Sequence, residues 1–225
     1  MDERARSAGA WQSGSWNVVS RLVEVDGSAA HPWFQRLVAT GAQQRDLADA
    51  AHSLCILYGQ QPGLADEALA HDAVPDAVNW LADAAGGFAE ERAYLAALVA
   101  GAGPLPSTPG HAETRAAIAT QAHALSMLAR SDRGGCAVGA VAALIGDWRA
   151  IRRLLDIAAL RFAVQSVPAT LSEIGDPGSA PALFGSAFAT AAPVDRAVAF
   201  GAQQLLAQHR GLWSLLEARA SARHG

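Results

Sequence analysis

Between Ala137 and Phe162 the chain carries Ala137, Val141, Leu144, Trp148, Ile151, Leu155, Ala158 and Phe162 at alternating spacings of four and three. An apolar residue at every 3.5 positions keeps one face of a helix turned toward a neighbour, since the helix drifts by only about 20° per heptad. A strand cannot use this pattern, because its side chains alternate with period two. The seam runs for more than three repeats, so its partner must cross at a shallow angle. It therefore predicts a helix bundle with this segment inside.

Similar stripes recur along the chain. Leu37, Leu47, Ala51, Leu54 and Tyr58 predict a helix from Phe34 to Gly59, stopped by Gly59 and Pro62. A short helical turn covers Leu64 to His71. Trp80, Leu81, Ala84, Phe88, Leu95 and Leu98 predict a helix from Pro75 to about Ala100, weakened at Gly86 and Gly87. After the loop "GAGPLPSTPG", a helix is expected from His111 to Ser131, with "SDRGG" as the tight turn into the seam helix. A last helix runs from Pro193 to about Arg219 on the stripe Val194, Val198, Gly201, Leu205, His209, Leu212 and Leu216. The Pro-, Gly- and Ser-rich stretch from Val167 to Ala192 reads as a crossover or a flap. "WNVVSRLVEV" fits helix or strand. Residues 1–30 read as an extension, partly disordered or loosely packed, and 31–222 as a single helical-bundle domain. Hairpin patterns and internal repeats are absent from the sequence.

Composition narrows the function classes. The formal charge is −4, the pI is about 5.9, and the 17 basic residues are all Arg. No Arg stripe is interleaved with aromatics, so nucleic-acid binding is not expected. Arg149, Arg152 and Arg153 read as the wet face of the seam helix. No apolar run is long enough to span a bilayer, and the N-terminus has no apolar core of a secretory signal. A cytoplasmic protein without a membrane partner is expected. The two cysteines, Cys55 and Cys136, lie far apart among apolar residues and read as packed thiols. Ala-rich composition with Arg in place of Lys points to a GC-rich bacterial genome. Hydrophobic residues at 51% suffice for a sizeable core.

The familiar catalytic signatures GxGxxG, the Walker loop, GxSxG and HExxH do not occur. Asp49 stands three residues before His52, but at about 100° per residue Asp49 faces away from the Leu47–Leu54–Tyr58 stripe. Glu67 and His71 read as a surface pair. More telling are polar residues on apolar stripes. Glu91 lies between Phe88 and Leu95, and His209 between Leu205 and Leu212. Gln121 lies between Ile118 and Leu125, and Asp147 flanks the seam beside Trp148. His111 opens its helix at the loop end, while Glu90, Glu113 and His123 point outward.

Antiparallel folding about Leu105 and Arg133 levels Glu91 with Gln121 and Gln121 with Asp147. A returning last helix levels Asp147 with His209. These four residues are expected to form a mid-bundle layer, open to three readings. It is a buried polar network that fixes register. Alternatively, Glu91, Asp147 and His209 hold a single transition-metal ion with an open position, with Gln121 beside it. Finally, Glu91 and His209 form an acid/base pair in a pocket.

In helix count, helix length and inward polar layer the chain resembles ferritin-like bundles. That family carries two Glu-x-x-His steps and two further Glu; the nearest steps here are Asp49–His52 and Thr120–His123, the second without a carboxylate. This resemblance implies a metal held between helices. "HPWFQRLVATG" is similar to the opening helix of thiaminase-type proteins, and "ALSMLARSDRGGCAVG" to the glycine-containing distal helix of heme oxygenases. That alternative implies heme, with porphyrin approach at Gly134, Gly135 and Gly139 and His31 or His52 as proximal ligand. The expectation is an all-α antiparallel bundle of about five long helices, ferritin-like before heme-oxygenase-like. Its expected role is binding or assembly, with homodimerisation through Ala-rich seams and an unspecified small-molecule ligand. The alternative is a divergent metal- or cofactor-dependent enzyme.

Overall fold

The computed structural model describes residues 15–71, 77–105, 110–171 and 192–223. The fold is all-α: the described residues form eight α-helices and no strand. In chain order they are α1 (Ser15–Asp26), α2 (Pro32–Leu37), α3 (Gln44–Tyr58), α4 (Leu64–His71), α5 (Val78–Ala102), α6 (His111–Ala129), α7 (Cys136–Phe162) and α8 (Ala192–Ala222), with a 3₁₀ turn at Ser28–Ala30. Four long helices and several shorter ones thus replace the five long helices expected.

The seam helix α7 lies at the centre and packs against α8, α5, α1, α3 and α6. Trp148, Ile151 and Leu155 on its seam are 1%, 0% and 0% exposed. Full burial of such side chains contributes about 1.5–3 kcal/mol each. The whole stretch from Cys136 to Ile145 is buried, because neighbours cover α7 on every side there. Its closest neighbour is α8. A Cβ on Gly139 would stand 2.1 Å from the Val198 carbonyl oxygen, and one on Gly201 would stand 1.9 Å from that of Cys136. Only a missing side chain at both positions lets the two backbones come this close. Gly135, at φ 92°, makes the left-handed turn that starts α7, so "SDRGG" is a helix–helix turn as expected.

Three segments differ from the sequence reading. The helix expected from Phe34 to Gly59 is two helices, α2 and α3, joined through Val38–Gln43. Val38, Thr40 and Gly41 are weak helix formers, and Gln43 is extended as it enters α3. Pro32 opens α2 at its first turn, where its missing N–H costs nothing, and the His31 ring accepts from Trp33 N–H as the cap. The Gly86–Gly87 pair does not interrupt α5, and the Gly87 carbonyl accepts a 2.7 Å bond from Thr170 Oγ. Finally, residues 15–30 are not a loose extension. Trp16 and Val19 are buried, α1 packs on α8 and α7, and Ser28 is 0% exposed. The expectations for residues 1–14 and 172–191 fall outside the described residues.

Candidate functional site

The central polar layer is built on α7. Seam phase turns Trp148 inward, and Asp147 beside it faces the side covered by α8 and the 3₁₀ turn. The stripe of α8 brings in His209, the last turn of α3 brings in Tyr58, and the turn after Gly27 brings in Ser28. Asp147 accepts from Ser28 N–H at 2.7 Å, from Ser28 Oγ–H at 2.5 Å and from His209 Nδ1–H at 2.5 Å. Trp213 Nε1 donates to Ser28 Oγ at 2.8 Å, and Tyr58 OH is bonded to His209 Nε2.

The pattern fixes the protons. The carboxylate accepts from Nδ1, so Nδ1 carries hydrogen, and Nε2 accepts from the phenol. Burial, and then the Asp147 charge, push the Tyr58 phenol well above its usual range, so it keeps its proton. Tyr58 is ringed by Phe88, Trp148 and His209 at centroid distances of 5.9, 5.4 and 5.6 Å. The chain Trp213–Ser28–Asp147–His209–Tyr58 is therefore continuous and buried. A Cβ on Gly27 would stand 2.8 Å from Asp147 Oδ1, so glycine is what lets the turn seat Ser28 on the carboxylate.

The sequence-derived layer is only half assembled. Asp147 and His209 meet as expected. Gln121 sits one step aside and donates from Nε2 to the Gln208 carbonyl at 3.3 Å. Glu91 is buried, at 1% exposure, but pairs with Arg152 Nη1 at 3.0 Å and not with the Asp147–His209 pair. Arg152, read from sequence as wet, is buried. It bonds Asp156 at 3.0 Å and the Val167 carbonyl, and stacks on Tyr94 at 4.3 Å. Burial opposes the guanidinium charge, yet Glu91 and Asp156 together raise its already high pKa. Among the described residues, no three His, Cys, Asp or Glu side chains converge as a metal site would require. The ion expected from Glu91, Asp147 and His209 has no common vertex to occupy.

Other charged groups also turned inward. Asp49, expected outside, is buried, because Arg219 and Arg223 at the end of α8 fold over it. Arg223 also pairs with Asp46. Glu67 is buried against Arg130 at 2.7 Å, while His71 faces Asp132 at 3.6 Å. His52 reaches the Gly103 carbonyl at 2.9 Å, and His31 reaches Ser214 Oγ at 3.1 Å; neither faces a porphyrin-sized space at Gly139, which the α8 backbone fills. Cys55 is half-buried and Cys136 buried, both free thiols, as expected.

Tyr58, Ser28, Trp213 and Arg152 were missed as partners. Tyr58 had a legible signal, since a phenol on an apolar stripe needs an acceptor. Ser28 had none, because its place depends on how α1 docks.

A family model described as "Family of unknown function (DUF6975)" matches residues 23–224. The chain belongs to DUF6975. The matched span takes in Ser28, Tyr58, Glu91, Asp147, Arg152, His209 and Trp213, so both buried polar clusters lie inside the DUF6975 extent. Neither a ferritin-like nor a heme-oxygenase-like family is matched. No curated protein and no solved structure matches this DUF6975 chain. No described helix is long and apolar enough to cross a membrane.

Proposed function

We propose that this DUF6975 chain has a binding or assembly role, and that its Asp147 layer holds the helices in register without catalysis. One observation carries the reading. Both Asp147 oxygens and both His209 ring nitrogens are bonded to protein groups, at 1% and 0% exposure. An acid/base dyad must offer one of these atoms to a substrate, and a metal must take one of them as a ligand. Either would displace Tyr58 or Ser28. Glu91 is held by a guanidinium, which would repel a neighbouring cation. A satisfied polar network of this kind favours one helix register over slipped alternatives.

Elemental analysis of untagged protein, with a hemin titration, tests the proposal. The expected result is sub-stoichiometric metal, unchanged by Glu91→Gln, and no Soret shift. Stoichiometric metal that Asp147→Asn removes would overturn it.

A second reading is favoured by Tyr58, which lines a cavity of about 210 Å³ with Phe88, Leu125 and Leu144 while bonding His209 behind it. Tyr58–His209–Asp147 would then be a proton path for an enzyme. It fails if small apolar and aromatic probes leave the Tyr58 and Phe88 resonances unshifted.

A further inference from the structure

Away from the Asp147 layer, α3, the N-terminus of α6 and the C-terminal end of α8 enclose a cleft of about 340 Å³. Its wall carries His52, His111, Arg115 and Arg219, against one carboxylate, Asp49. That carboxylate is already held by Arg219 Nε at 3.0 Å and by Arg223. Positive charge is therefore in excess. Arg219 is 9% exposed, and its Nη1 is buried with no hydrogen-bond partner among the described residues. A guanidinium N–H taken from water without an acceptor is costly, and a small shift of the side chain toward the cleft would let a ligand oxygen satisfy it.

Helix α6 supplies a second donor set. Gly110 is its N-cap, in the left-handed region at φ 78°, and offers no side-chain cap. The first intrahelical bond is made by Thr114 N–H, to the Gly110 carbonyl at 3.0 Å. The amides of His111, Ala112 and Glu113 precede it and have no intrahelical acceptor. Such a terminus favours an anion through both its N–H groups and its dipole. Glu113 in this first turn is exposed and does not line the cleft. Arg115 has no partner among the described residues. The His52 ring is fixed by its Nε2–H bond to Gly103, which leaves Nδ1 as an acceptor and makes His52 a wall of the cleft rather than a donor to an anion. Ile56, Leu105 and Ile118 give the same cleft an apolar side.

We propose that this cleft binds the oxyanion of a small organic acid or phosphorylated metabolite. The phosphate or carboxylate group sits at the His111 end of α6, between Arg115 and Arg219, and the carbon body rests on the apolar side. The volume lies within the range of small-molecule sites. The proposal rests on residues separate from the Asp147 layer, so either can fail alone.

The test is a ¹H–¹⁵N titration with inorganic phosphate and, separately, malonate, each against chloride at matched ionic strength. Saturable shifts are expected at His111, Thr114 and Arg115 and at the Arg219 side chain. Arg115→Gln removes a charge-assisted contact and should weaken binding about tenfold, equivalent to about 1.4 kcal/mol. His111→Gln/Arg115→Gln should weaken it further, and Arg153→Gln on the exposed face of α7 should change nothing. Arg115 is exposed and without a partner among the described residues, so its variant retains the fold. Saturation by phosphate alone or malonate alone supports the site and names the oxyanion. Linear shifts with both probes, shifts spread over surface arginines, or an affinity indifferent to Arg115→Gln would overturn it.

Discussion

Replacing Asp147 with Asn changes one oxygen to an amide and leaves the shape nearly constant. The carboxylate accepts three hydrogen bonds, from Ser28 N–H, Ser28 Oγ–H and His209 Nδ1–H. An Asn oxygen facing Ser28 N–H puts its NH₂ against Ser28 Oγ and His209 Nδ1. Ser28 Oγ can accept from that amide as well as from Trp213, but its own hydrogen then has no acceptor. His209 can accept at Nδ1 only by moving its proton to Nε2. That proton then faces the Tyr58 oxygen, and the Tyr58 hydrogen is stranded in turn. Two buried hydroxyl donors at about 1–3 kcal/mol each give a loss of about 2–6 kcal/mol. Total stability for a domain is about 5–15 kcal/mol, so the variant should fold with a much lower urea midpoint. Long-range ¹H–¹⁵N spectra should show His209 protonated at Nδ1 in the parent and at Nε2 in the variant. Tyr58→Phe should cost about 1–3 kcal/mol in the parent, where it orphans Nε2, and much less in the Asn background, where the hydroxyl is already stranded. An Asp147→Asn loss below about 0.5 kcal/mol, the range of ordinary surface changes, would refute the proton assignment. So would an unchanged His209 tautomer.

The remaining predictions concern other groups. Glu91→Ala should destabilise by about 3–5 kcal/mol in urea unfolding, because Arg152 is left buried with Asp156 as its remaining carboxylate among the described residues. Glu91→Leu alone should help little, whereas Glu91→Leu/Arg152→Met should recover most of the loss. Gly201→Ala should cost about 3 kcal/mol or more by prising α7 from α8, while Gly86→Ala, with nothing within 4 Å of its Cβ, should stabilise by about 0.5–1 kcal/mol. Burial lowers the His31 pKa, with Glu217 opposing, so the unfolded chain takes up a proton at this site near pH 6.5 before the folded one does. Stability should therefore fall as pH drops below that value, and His31→Asn, which still caps α2, should flatten this part of the urea-midpoint profile. At alkaline pH both Tyr58 and Tyr94 are raised chiefly by burial. Phenolate absorbance at 295 nm should accordingly stay low near pH 10 in the folded protein and appear on unfolding.

The sequence by itself determined the helices and their inner faces. The 3.5-residue seam of α7 survives intact, since Ala137, Val141, Leu144, Trp148, Ile151, Leu155, Ala158 and Phe162 are all buried. Periodicity also told Glu91 from Glu90, and His209 from its wet neighbours, because a helix fixes the angle between successive side chains. The meeting of Asp147 with His209 was within reach of a count of heights along antiparallel helices. What the tertiary structure alone decided is which charges answer which. Arg152 lies off the seam of a helix expected to have a wet side, yet α5 and the segment after α7 cover that side. Asp49 lies off the α3 stripe, yet the Arg219 and Arg223 side chains close over it. Ser28 enters the core only because α1 docks on α7 and α8 and Gly27 leaves room. Helical phase is local, set within one turn. The partner of a buried charge is a long-range choice, made when separate helices pack and each desolvated group must find its counterpart.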